Sequence, residues 1–178
     1  MPCRPLAATL LLAALVIPGA HAAGVRDAVA AHVPDAVLVG EGRLKVMFWE
    51  LLEARLYAPG GRYRPDAPFA LSLSCLRSLD GHKVVAASIE EMARQGGRVP
   101  ARLARWRAAL GGILVDLDAG TEITGVRDAR GRTLFYRDGE PAGRIDDPAF
   151  TRAFFDIWLG ESTSRPRLRD RLVRGTAS

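Results

Sequence analysis

Two arginines, Arg43 and Arg55, stand among apolar side chains in the segment "LVGEGRLKVMFWELLEARLYAP". A guanidinium offers a planar fork of donors that grips a carboxylate through two parallel bonds, which an ammonium does less well. Arg55 shares strand parity with Trp49, Leu51 and Tyr57, so on an inward face it needs an acid, either Glu53 or the carboxylate of a ligand. Both readings stand: a rim arginine paired with Glu53, or an arginine at the mouth of an apolar cavity. If the site performed proton transfer, Tyr57, Tyr136 or Glu53 would have to supply the acid or base. Further on, Phe150, Phe154 and Trp158 recur every fourth residue, widened by Phe155 and Leu159. Such a stripe packs on a sheet or walls a slot for an apolar ligand, and none of its side chains moves protons at neutral pH. The candidate ligand-binding set is therefore Arg43, Arg55, Tyr57, Tyr136 and Trp158, with no residue assigned to catalysis.

Other chemistries have less to stand on. His32 and His82 lie in neither an HExxH helix nor the vicinity of a G-x-S-x-G turn, so zinc and serine-hydrolase sites are not expected. The acidic run "DLDAGTE" lacks the ligand spacing and turn glycine of a calcium loop and reads as a solvated turn. No glycine-rich loop joins a strand to a helix to cradle phosphate. Neither a metal nor a cofactor is expected.

Those residues need a scaffold, and the chain is long enough for one. It has 178 residues and is 48% hydrophobic, which suits one domain with a substantial core. Residues 1–22, "MPCRPLAATLLLAALVIPGAHA", have a basic start, an apolar run from Leu6 to Ile17 and Ala20-His21-Ala22 before a cut site. This is the pattern of a signal peptide, leaving residues 23–178 as the domain and a periplasmic or secreted location. Removing Cys3 with that segment leaves Cys75 alone, in a strand pattern that reads as a buried, inert thiol. The charge of +5 falls to +4 without Arg4. The basic residues lack aromatic interleaving, so nucleic acid is not an expected partner, whereas contact with an anionic membrane surface stays open.

The elements follow from periodicity and punctuation. Residues 35–57 read as two extended segments joined near Gly40–Gly42, the second covered on both faces. "APGGRYRPDAP" is a loop, and "FALSLSCL" alternates large and small residues as a strand. Asp80 caps a helix that stops near Gly96-Gly97; Pro100 opens a second, ended by Gly111-Gly112. Strands at 121–128, 133–137 and 142–145 are joined by turns at Arg130-Gly131 and Asp138-Gly139. Asp146 or Asp147 starts the aromatic helix, Gly160 closes it, and residues 165–173 form a last helix. His32 falls in a mobile stretch before the first strand. The class is α+β, with helices on one side of an antiparallel sheet.

Taken in order, "LVGEGRLKVMFWELLEARLYAP", "ASIEEM", "AGTEITGV", "LFYRDGEPAGRIDDPAF" and "FFDIWLGESTSRPRLRDRLV" resemble the bacterial chalcone isomerase-like family of exported proteins, from about Val37 to Val173. The resemblance implies an open-faced β-sandwich: a large antiparallel sheet, helices layered on one face and a ligand cleft between them. Catalytic relatives are expected to use a strand Arg, a strand Thr and a helical Tyr–Asn pair to cyclise a chalcone. Non-catalytic relatives are expected to bind fatty acids. Aligned without gaps, the strand Arg falls at Leu44, next to Arg43, and the strand Thr at Leu51-Leu52; the helix offers Ser88, Glu90 and Glu91 in place of Tyr and Asn. The expectation is an exported, non-catalytic protein that holds a fatty acid or similar small amphiphile. Its alternatives are an isomerase acting on an enone and a scaffold that docks partners through the arginines at 165, 167 and 169.

Overall fold

The computed structural model describes residues 20–96 and 99–174. Most of the expected signal peptide (residues 1–19), together with Gly97, lies outside them. Six strands run β1 (Ala36–Val46), β2 (Trp49–Pro59), β3 (Phe69–Cys75), β4 (Glu122–Arg127), β5 (Thr133–Arg137) and β6 (Glu140–Ile145). They form one antiparallel sheet in the order of the sequence. Five helices complete the α+β fold: α1 (Ala20–Ala30), α2 (Gly81–Gly96), α3 (Pro100–Gly111), α4 (Pro148–Leu159) and α5 (Pro166–Arg174).

The helix starts are set by local chemistry. Asp80 Oδ1 accepts from the Lys83 amide at 3.2 Å, satisfying a donor in the first turn of α2. Asp147 accepts from the amides of Ala149 and Phe150, ahead of Pro148, and its other oxygen takes the Trp106 indole N–H at 2.9 Å. One carboxylate thus caps α4 and ties it to α3. These bonds hold the Asp147 carboxyl below its ordinary range against the opposing effect of burial.

Helices α2 to α5 close directly on one sheet face. Phe135, Phe150, Phe154 and Phe155 form an aromatic cluster over β4 and β5, edge-to-face except for the stacked Phe150–Phe154 pair, and Phe155 reaches Phe69 on β3. Gly125 makes room for it: a Cβ there would lie 3.3 Å from the Phe155 ring and 3.4 Å from Phe154. Gly42 does the same for α5, since a Cβ would stand 2.8 Å from Leu168 Cδ1.

Three sequence expectations are corrected. Gly40 and Gly42 do not join two segments. They lie within β1, which continues past a bulge to a turn at Met47-Phe48. A glycine there serves close packing rather than chain reversal. Second, α1 had no counterpart in the sequence reading, and it covers the face opposite the other helices. Its Val25 and Val29, with Val33 beyond, pack on Ala70 and Val126 and against Tyr57, Leu134 and Tyr136. Third, His32, expected in a mobile stretch, has a tertiary partner: its Nε2 lies 2.7 Å from the Tyr136 hydroxyl.

Candidate functional site

The five residues singled out from the sequence fall in three places. Arg43 and Arg55 project from the sheet face away from α2–α5, into a ladder of carboxylates. Arg43 Nη1 donates to Glu50 Oε2 at 2.8 Å and its Nε lies 3.5 Å from Glu53; Lys45 Nζ meets the other oxygen of Glu50 at 2.8 Å. Arg55 donates to Glu53 and, at 3.2 Å, to Glu41 Oε2. The register explains this, since Arg43 pairs with Glu53 and Glu41 with Arg55 across the β1–β2 ladder. Between the two readings of Arg55, the rim arginine paired with Glu53 is the one the structure holds. Tyr57 and Tyr136 sit under α1 on that same face, and burial pushes both phenols up. Trp158 is on α4, half-buried against the main core, and its indole nitrogen has no partner among the described residues. These residues do not converge. The helix-facing strand position is Leu44, packed against the core, one residue from Arg43.

A different set of side chains does converge. Along the outer flanks of α4 runs an open groove of about 950 Å³. Its base is formed by Phe69, Met92, Trp106, Phe155 and Leu159, each 5% exposed or less. Its rim carries four guanidinium groups, from Arg102, Arg127, Arg152 and Arg169, against the carboxyls of Asp66, Asp156 and Glu161. Arg152 lies 4.0 Å from Asp66 and Arg169 3.9 Å from Asp170, whereas Arg102 and Arg127 have no carboxylate within ion-pair distance among the described residues. Arg127 Nη1 donates to the carbonyls of Ala67 (3.1 Å) and Asp128 (3.4 Å), and Arg169 Nε to that of Leu159 (2.8 Å). Arg102 lies over the Trp106 ring at 5.2 Å, and its buried Nε has no partner among the described residues.

Tyr63 closes one side, edge-on to Phe69 at 5.1 Å. Burial, aided by the charge of Asp156, pushes its phenol up to about 12, so it stays protonated at any physiological pH. Burial also raises the Asp156 carboxyl, opposed by Arg152. The groove can therefore place an anionic head group on guanidinium donors with an apolar base beneath it. No three His, Cys, Asp or Glu side chains converge as metal ligands among the described residues.

None of the five sequence-selected residues lines this groove. The sequence pattern gives Arg102 no role and places Tyr63 only in a loop. The signal that could have found them is faint: an arginine ending β4 and an aromatic inside a glycine- and proline-rich loop become neighbours only once α4 is laid across them.

A family model described as chalcone isomerase-like matches residues 21–173. Among solved structures, a fatty-acid binding protein of Arabidopsis thaliana superposes with a TM-score of 0.63 at 14% identity, covering 79% of this chain and 88% of its own. At that identity the likeness is one of fold. No curated protein sequence matches the chain.

Proposed function

The chain belongs to the chalcone isomerase-like family, and from that premise we propose that it is a non-catalytic carrier binding a fatty acid or similar amphiphile in the groove beside α4. One observation carries the reading: the guanidinium groups of Arg102 and Arg127, with no carboxylate partner among the described residues, stand at an apolar base. Arg102 and Arg127 would hold the carboxylate. The acyl chain would lie on Phe69, Met92 and Phe155. The fatty-acid binding neighbour supports the ligand class.

The positions where relatives are expected to carry catalytic groups speak against turnover. Leu44, where the family resemblance expects a strand arginine, packs into the core, as does Leu52 where a threonine is expected. Ser88 is committed to the Val84 carbonyl at 2.8 Å, and Glu91 to Arg94. Tyr57 and Tyr136, the phenols the sequence offered for proton transfer, lie under α1 and away from the groove, and Tyr63, which lines it, is held protonated by burial. The reading includes export by residues 1–22, which fractionation of expressing cells and the mass of the processed chain would check.

Native mass spectrometry of protein purified without detergent, paired with titration by a fluorescent fatty acid, tests the proposal. A co-purifying acyl species and saturable one-site binding are expected. Neither lipid nor saturation would end it.

A further inference from the structure

The turn between β1 and β2 exposes what the rest of the molecule hides. Met47 is 85% exposed, Phe48 91% and Trp49 55%. Met47 has φ of 55°, a left-handed position that two-residue hairpins ordinarily give to glycine, asparagine or aspartate. Here a bulky apolar side chain occupies it. The hairpin also overhangs its sheet: the Leu76 amide bonds the Leu51 carbonyl, and among the described residues nothing on the β3 side pairs with Trp49 or Glu50. Two residues of overhang are about 7 Å, to which the turn adds its own height.

Cations collar this tip. Arg77 stacks its guanidinium over the Trp49 ring at 4.0 Å rather than on a carboxylate. Lys45 and Arg43 flank it, balanced by Glu50 and Glu53, so that Arg77 is the one positive charge in excess. Leu76, 38% exposed, extends the apolar surface beside Arg77.

We propose that the Met47-Phe48-Trp49 tip inserts into the interfacial layer of a lipid bilayer, with Lys45 and Arg77 against anionic head groups. A protein partner fits the geometry less well. Three such side chains offer at most roughly 500 Å², short of the about 800 Å² that each partner buries in a stable complex. A bilayer has no such requirement: an apolar wedge seated about 5–10 Å deep, with Trp at the boundary and Lys or Arg at head-group level, is sufficient. The amphiphile groove is not part of this contact. Phe69, at the groove, and Cys75, near the tip, are opposite ends of β3, about 20 Å apart at strand spacing.

The full chain is mixed with vesicles of phosphatidylcholine and phosphatidylglycerol, or of phosphatidylcholine alone, some carrying bromine on the acyl chains. Partition favouring the anionic vesicles is expected, with quenching of tryptophan emission that Trp49→Phe removes. Met47→Gly combined with Phe48→Ser should lower partition about tenfold or more, with an unchanged circular dichroism spectrum. Three results overturn the proposal: no partition, partition without quenching of Trp49, or partition that the double variant retains while charge reversal at Arg165 and Arg167 abolishes it. Light scattering that finds a dimer dissolved by the double variant overturns it too, and gives the tip to a second copy.

Discussion

The two faces of the sheet treat arginine in opposite ways. On the face turned from α2–α5, Arg43 and Arg55 meet Glu41, Glu50 and Glu53 within the β1–β2 ladder, and their donors are taken. On the other side, around α4, Arg102 and Arg127 bond only to backbone carbonyls or to nothing described. The difference shows that an arginine near apolar residues is a poor sign of a site. What separates the two sets of arginines is whether a carboxylate lies within reach, and that is settled by cross-strand register and helix placement. The faces also differ in packing. One is sealed by interlocked aromatics and glycines; the other is half covered by α1 and otherwise solvated.

The packing contrast gives the largest expected effect. Phe154 is 5% exposed and touches Phe135, Phe150 and Phe155. Phe154→Ala should lower unfolding stability by about 3–5 kcal/mol, the usual cost of truncating a buried aromatic. Arg55→Ala on the opposite face should cost less than about 1 kcal/mol, as exposed ion pairs do. Equilibrium denaturation in urea measures both. Similar losses would mean that the outer face carries structure its side chains do not reveal.

Much of this arrangement was legible from the sequence, for physical reasons. Strand β5 and the Asp138-Gly139 turn follow from alternation and from two residues with positive φ, 52° and 87°. Helix α4 follows from its stripe, and α2 from Asp80. The turn of the first hairpin was misplaced because Gly40 and Gly42 look like punctuation, while Met47 and Phe48 do not. Helix α1 was missed because alanines next to an export-like segment carry almost no helical stripe beyond Val25 and Val29. The groove was out of reach of pattern reading. Tyr63, Arg102, Arg127 and Arg169 come from a loop, the first turn of α3, the end of β4 and α5, and only the packing around α4 brings them together.

The arginine contrast is next in size. If the groove binds a carboxylate, Arg102→Ala should weaken fatty-acid affinity about tenfold, the loss of one charge-assisted contact. Arg43→Ala and Arg55→Ala should leave affinity unchanged, because their guanidinium groups are spent on Glu50 and Glu53. Calorimetric titration with the same fatty acid would show it. The reverse ranking would return the site to the β1–β2 face and to the reading the sequence first suggested.

The smallest effect compares ion pairs rather than faces. Glu91 takes the Arg94 side chain, the Ser164 amide at 3.0 Å and the Gln95 amide at 2.8 Å, linking α2 to the segment before α5. These partners, Arg94 foremost, hold its carboxyl at about 2, against burial. The folded value lies below the unfolded one, near 4.3. The stabilisation is therefore complete above the unfolded value and is lost as pH falls from there toward about 2. Glu91→Gln should cost about 1 kcal/mol at neutral pH, a figure kept low because Arg94 is half exposed and solvent screens the pair. Thermal midpoints of the two proteins should converge as acid is added. Glu50, lowered by Lys45 and Arg43 alone, has no backbone donor to fix it, so Glu50→Gln should show the shallower pH dependence. Equal slopes would mean that the backbone amide at Ser164 adds nothing to what the exposed ladder already achieves.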